Sequence, residues 1–173
     1  LVSDAFEIAP GSGVVTLSSA PLVASLPAEG VDNVDPARLD PAATESRASL
    51  LTAGGIHLRS MVSSTRPQRR ARKDEPFVSV LHVDDFGTTD WTQAERYMPT
   101  TPGQIAYAGN ILISLLNPSK LRATVIPERY PVVQCSLEFG VFQTDNDPFA
   151  ILALLYNEQV RVQLRPLGTG TSS

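Results

Sequence analysis

Cysteine is nearly absent from this 173-residue chain. Cys135 stands alone, which excludes an intramolecular disulfide and any zinc site built on several cysteines. Histidine is scarce too: His57 and His82 are the two copies, and none follows His82. Aromatic residues are 6% of the chain and charged residues 18%, and no apolar run approaches the roughly 20 residues needed to cross a bilayer. The opening LVSDAFEIAP has neither the basic start nor the apolar core of a secretory signal. It also begins on Leu1 rather than methionine, so the expectation is a chain cut from a longer precursor or trimmed.

Sequence signatures of chemistry are missing as well. No Gly-x-Ser-x-Gly elbow is present. Gly11-Ser12-Gly13 and Gly168-Thr169-Gly170 lack the lysine and the strand-to-helix context that cradle phosphate, and they read as loops. His82-Val83-Asp84-Asp85 has the His-x-Asp spacing that can put an imidazole and a carboxylate on one metal. Sites with two histidines and one carboxylate generally draw the second histidine from downstream, whereas His57 lies upstream, so polar residues at a strand end are the default. Cys135 sits in an alternating strand pattern, the setting of a structural thiol rather than an activated one. Asp145 and Asp147 flank Asn146, but Pro148 follows and the glycine and distant glutamate of a calcium loop are missing, which favours a turn. These residues give no catalytic, cofactor-binding or metal-ligating assignment, and no enzyme is predicted.

What is abundant is punctuation. Fourteen prolines and 11 glycines accompany 42% hydrophobic residues, a composition of strands and loops rather than of a helical bundle. The net charge of −4 and pI of about 5.1 argue against the whole molecule binding a polyanion. The charge is uneven, however. Up to Glu45 the ionisable side chains are Asp4, Glu7, Glu29, Asp32, Asp35, Asp40 and Glu45 against Arg38. Between Arg66 and Lys73 five cations fall in eight residues with no acid. Arg66, Arg69, Arg70, Arg72 and Lys73 are the candidate nucleic-acid contacts, because such a run neutralises phosphates without reading sequence. A solvated loop, or a salt-bridge site for the acidic first 45 residues, is equally consistent. No aromatics interleave the cations for base stacking.

Along the chain, residues 1–45 read as an extended or flexible N-terminal arm, with Val14 to Leu17 and Pro21 to Leu26 as short extended pieces. Residues 46–76 form a short helix and basic loop leading into the core. A helical turn from Thr44 is interrupted at Gly54-Gly55, and Ile56, Leu58, Met61 and Val62 fit a short amphipathic helix. Residues 77–167 are the antiparallel β core. It opens with a strand from Phe77 to Val83 and a helix from Trp91 to about Met98, capped by Asp90 and stopped by Pro99. Two strands follow within Gln104 to Val133, then strands at Cys135–Phe142, Phe149–Tyr156 and Val160–Leu167. Residues 168–173 are a loop-like tail. Regular strands at short spacing without long crossover helices indicate an all-β antiparallel sandwich or barrel.

Four segments carry a family resemblance. Gly54-Gly55-Ile56-His57-Leu58-Arg59-Ser60-Met61-Val62 resembles the Gly-Glu-x-Ile-x-Ser-Leu-Arg-x-Leu segment of jelly-roll coat proteins of picorna-like viruses, the dicistrovirus, iflavirus and marnavirus groups among them. Tyr107-Ala108-Gly109-Asn110-Ile111-Leu112-Ile113-Ser114-Leu115-Leu116 is similar to their aromatic-Arg-Gly-Ser-hydrophobic strand, and Leu121 to Pro127 to the strand after it. Asp145 to Phe149 is similar to the turn that opens a late strand. Gly55 replaces an acid of that pattern and Ala108 its arginine. The resemblance implies a viral jelly roll with an extended N-terminal arm and one or two short helices. It further implies a structural subunit of an icosahedral RNA-virus shell, with copies of itself or sister coat proteins as partners and genomic RNA on the basic loop. Such a protein is localised in the virion and assembled in the host cytoplasm, without cofactors. The alternatives are a non-viral or phage β-sandwich binding module and, third, an enzyme built on His57, His82, Asp84 and Asp85.

Overall fold

The structure, a computed structural model, describes residues 40–65, 74–100, 103–117 and 120–164 in full, and the backbone of 6–8, 14–19 and 22–27. Strands β1 (Phe6–Ile8), β2 (Val14–Ser19) and β3 (Leu22–Pro27) form an antiparallel sheet in that order, and β2 and β3 fall on the two extended pieces expected there. Helix α1 (Pro41–Thr52) starts earlier than the turn expected at Thr44. Asp40 accepts a hydrogen bond from the Ala42 N–H at 2.9 Å, and Pro41 occupies the first turn, where its missing N–H costs nothing. The arm boundary drawn at residue 45 therefore falls inside this helix. Gly54, at φ 85°, lets the chain reverse so that the Gly55 N–H closes on the Leu50 carbonyl at 2.8 Å. The amphipathic helix expected at Ile56 to Val62 is a single 3-10 turn, Leu58–Ser60.

Seven further strands make two sheets. The larger has the order β4 (Ser63–Ser64), β10 (Phe139–Gln143), β7 (Ile111–Ser114), β8 (Ala123–Val125). The smaller has the order β5 (Phe77–Val78), β9 (Val132–Cys135), β6 (Gln104–Tyr107). All pairs are antiparallel except β5 with β9, which corrects the expectation of an entirely antiparallel core. Between the sheets, Val78, Ala106, Val133 and Cys135 meet Leu112, Phe139 and Val141 in one buried cluster. On the opposite face of the larger sheet, Ile111, Ala123 and Val125 join Ile151 and Leu155 of helix α3 (Pro148–Leu155). Period-two alternation thus sends Leu112 to one core and Ile111 and Ile113 to the other. The layers run sheet, sheet, helix, and the larger sheet is buried on both faces.

Several expected strands are something else. Phe149 to Tyr156 is α3, because the Asp147 carboxylate accepts from the Phe149 N–H at 2.9 Å and Pro148 sits in the first turn. An apolar run of this length does not separate strand from buried helix, and the Asp-Pro start was the deciding signal. Where the strand Val160 to Leu167 was expected, Asn157 caps α4 (Glu158–Arg161), and turns continue to Leu164. The strand from Phe77 ends at Val78, since Ser79 and His82 close a capping box around a 3-10 turn, Val80–His82. Cys135 to Phe142 divides into β9 and β10 about a turn at Leu137 and Glu138. The two strands of Gln104 to Val133 divide into β6, β7, β8 and the start of β9, with Gly109 at φ 80° turning the chain from the smaller sheet to the larger. Helix α2 (Trp91–Arg96) forms behind its Asp90 cap, Asp90 Oδ1 accepting from the Gln93 N–H at 3.0 Å.

Candidate interaction surface

The residues flagged by sequence do not converge. Arg66, Arg69, Arg70, Arg72 and Lys73 lie outside the described residues, as do both Gly-x-Gly stretches. His57 and His82 line different clefts. His82 Nδ1 accepts from the Ser79 N–H at 3.1 Å, and its ring meets the Tyr97 ring edge-on at 5.3 Å, so the imidazole is occupied in holding a turn. Asp84 Oδ1 accepts from the N–H groups of Phe86 (2.9 Å) and Thr88 (2.8 Å). Slight burial raises the Asp84 pKa, but the backbone donors at Thr88, Phe86 and Gly87 outweigh it and hold the carboxyl below its ordinary value. Asp85 meets Arg122 Nε at 3.4 Å instead of turning toward His82. Among the described residues no three His, Cys, Asp or Glu side chains group as metal ligands. Cys135 is fully buried, and burial pushes its thiol up to about 12, far from a thiolate at neutral pH. Asp147 is spent on the α3 cap.

What the loops do expose is apolar side chains. Leu81 is 84% exposed, Phe86 82%, Leu137 73%, Leu115 61% and Leu116 50%. Each rides on a turn locked by a side chain bonded to backbone. Ser79 Oγ accepts from the Leu81 N–H at 3.3 Å, the two Asp84 bonds enclose Phe86, Ser114 Oγ accepts from the Leu116 N–H at 3.2 Å, and Ser136 Oγ accepts from the Glu138 N–H at 3.2 Å. Leu115 is tied in through its N–H to the Glu138 carbonyl at 2.8 Å. Arg122 bridges two of these turns, reaching the Val80 carbonyl at 3.3 Å as well as Asp85.

Leu81 stands between two open clefts. One, of about 540 Å³, is lined by Phe86, Asp84, Asp85, Asp90 and Arg122. The other, of about 370 Å³, is lined by Leu116, Lys120, Arg122 and Glu138. Exposed apolar side chains fixed on rigid turns and rimmed by charge have the composition of a docking surface, because little conformational entropy remains to be lost on contact. Sequence reasoning missed these residues. Leu81 and Leu137 were covered instead by the strands expected at Phe77 to Val83 and Cys135 to Phe142. The available signal was the Ser79-to-His82 spacing of a capping box, which ends a strand before Leu81.

Beside β8, the Trp91 and Tyr130 rings stack at 4.2 Å and 23°, with the Arg129 guanidinium 5.9 and 5.0 Å from their centroids. Tyr130 donates a short hydrogen bond to Glu95, which with burial raises its phenol above the ordinary value. This stack fastens α2 to the loop before β9. No helix among the described residues is long and apolar enough to cross a membrane. No protein-family model matches the chain, and neither characterised proteins nor solved structures give a match.

Proposed function

We propose that the chain is a structural subunit of a viral capsid, folded as a shortened jelly roll and assembling with copies of itself or sister coat proteins into an icosahedral shell. The observation that carries this reading is the nesting of strand pairs: β4 with β10, β6 with β9, and β7 with β8, all antiparallel. A jelly roll is a long hairpin whose nested pairs are rolled alternately into two sheets, and here the outer and inner pairs lie in the larger sheet while the middle pair lies in the smaller. Three nested pairs stand where the eight-stranded form has four, and β5 runs parallel to β9 as an addition. The resemblance of Gly54 to Val62, Tyr107 to Leu116 and Leu121 to Pro127 to picorna-like coat proteins supports the same reading. So does a loop end that offers rigid apolar contacts while the reactive side chains are occupied in capping turns.

On this reading the protein belongs to the virion, the segment before α1 extends over neighbours, and Arg66, Arg69, Arg70, Arg72 and Lys73 contact genomic RNA through its phosphates. Light scattering of the purified protein over a range of concentration and ionic strength tests it. Species many times the 18.6 kDa chain mass are expected. A monomer at every condition, alone and mixed with sister chains, overturns the capsid reading and favours the solitary β-sandwich binding module.

A further inference from the structure

The capping box around the Val80–His82 turn has a histidine at the position where such a box ordinarily carries glutamate or glutamine. Those side chains accept the cap N–H through an oxygen. Here the acceptor is the Nδ1 lone pair of His82, which takes the Ser79 N–H at 3.1 Å. Only the neutral ring offers that lone pair, because both nitrogens of an imidazolium are donors. From this geometry we infer that the turn is a proton-operated latch, closed while His82 is neutral and released when the ring takes up a proton.

The released ring has new partners within its own cleft. His82 lines that cleft with Asp84, Asp85, Asp90 and Arg122. Asp85 is paired with Arg122 at 3.4 Å. A carboxylate accepts roughly four hydrogen bonds, so the bonds that Asp84 takes from Phe86 and Thr88, and Asp90 from Gln93, leave both able to accept from an imidazolium. Asp84, held below its ordinary value, is ionised throughout the range of about pH 5–8 in which imidazoles ordinarily change charge. The ring also meets Tyr97 edge-on at 5.3 Å, and Lys120 and Glu138 line the neighbouring cleft that Ser79 shares with Leu81. Protonation thus exchanges a backbone bond for a charge-assisted one, which makes a two-state element biased by a single proton. The Asp90 N–H still reaches the His82 carbonyl at 2.8 Å, and Arg122 the Val80 carbonyl at 3.3 Å, whatever the charge of the ring. Release is therefore confined to the turn that carries Leu81. The inference goes beyond the capsid reading and does not depend on it, since every group in it belongs to one chain.

Nitrogen-15 NMR of the imidazoles in mild alkali is expected to show His82 bare at Nδ1 and protonated at Nε2; the opposite tautomer overturns the latch. From about pH 8 to about pH 5, protection of the Ser79 amide against hydrogen exchange, corrected for the intrinsic rate, is expected to fall on the order of fivefold. Its midpoint should coincide with that of the His82 titration. His82→Gln puts an oxygen acceptor at the same position and should hold the Ser79 protection constant over this range. A Ser79 amide indifferent to the His82 titration, or a His82→Gln protein that loses protection as the parent does, overturns the inference. Neither result bears on the mass measured by light scattering, so the latch and the capsid reading fail separately.

Discussion

Replacing Tyr156 by phenylalanine removes one oxygen and strips the outer edge of β8. The phenol accepts from the Ala123 N–H at 3.1 Å and donates to the Ala123 carbonyl at 3.1 Å, on the side of β8 that faces away from β7. Ala123 is fully buried, so both groups lose their partner without gaining free access to water. A net hydrogen bond is worth about 1 kcal/mol and an orphaned buried group about 1–3 kcal/mol, which puts the expected loss at roughly 2–4 kcal/mol. At this chain length each kcal/mol lowers Tm by about 2–4 °C. Burial is the main reason that the Tyr156 phenol is raised above its ordinary value; the Ala123 backbone bond offsets this in part, and Asp84 adds to it. The folded state therefore prefers the protonated phenol. Its contribution is complete below the ordinary tyrosine pKa of about 10 and fades as pH rises through the higher folded value. Urea unfolding of both proteins at neutral pH and above pH 10 is the assay, with the gap between midpoints wide at neutral pH and narrowing in alkali. A gap under about 0.5 kcal/mol at neutral pH refutes the edge-closing role.

Gly103→Ala is expected to destabilise by at least about 2 kcal/mol, because a Cβ there stands 2.3 Å from the Cys135 carbonyl oxygen and 2.7 Å from the Phe77 ring; thermal unfolding within a degree of the parent contradicts the close approach of residue 103 to β9. Cys135 should resist iodoacetamide at pH 8 until denaturant unfolds the core, since its thiol is pushed up to about 12 by burial. Rapid alkylation of the native protein, followed by mass spectrometry, argues against that burial. Arg69→Ala with Arg70→Ala should weaken RNA binding and flatten its dependence on log salt by roughly 1–2; an unchanged slope in filter binding removes the basic run from the RNA contact.

How far the fold was legible depended on what each segment contacts. The Asp90 cap of α2 is local chemistry, and it was read correctly from Asp90, Trp91 and Pro99 alone. The sheet-forming stretch Gln104 to Val133 was recognised as strands, but its division was not. The turn at Gly109 and Asn110 sends the chain into the other sheet, and nothing local distinguishes that from a strand continuing. Phe149 to Tyr156 misled because a helix buried against the sheet by Ile151 and Leu155 has the same apolar density as a strand buried on both sides. Leu81 and Leu137 fall inside the strands expected at Phe77 to Val83 and Cys135 to Phe142, whereas bonds from the Leu81 and Glu138 N–H groups to Ser79 and Ser136 put them on turns. His82, Asp84 and Asp147, flagged as candidate ligands, are all engaged in holding turns or caps.

The central claim is that this chain builds a shell, and electron microscopy of particles purified from the protein's native source, with the chain located by a labelled antibody, tests it most directly. The account predicts closed particles of uniform diameter, labelled repeatedly over the shell, with reconstructed density that accepts the two sheets and α3 as a repeating unit. Label found only on free protein, with particles absent or unlabelled, would contradict it.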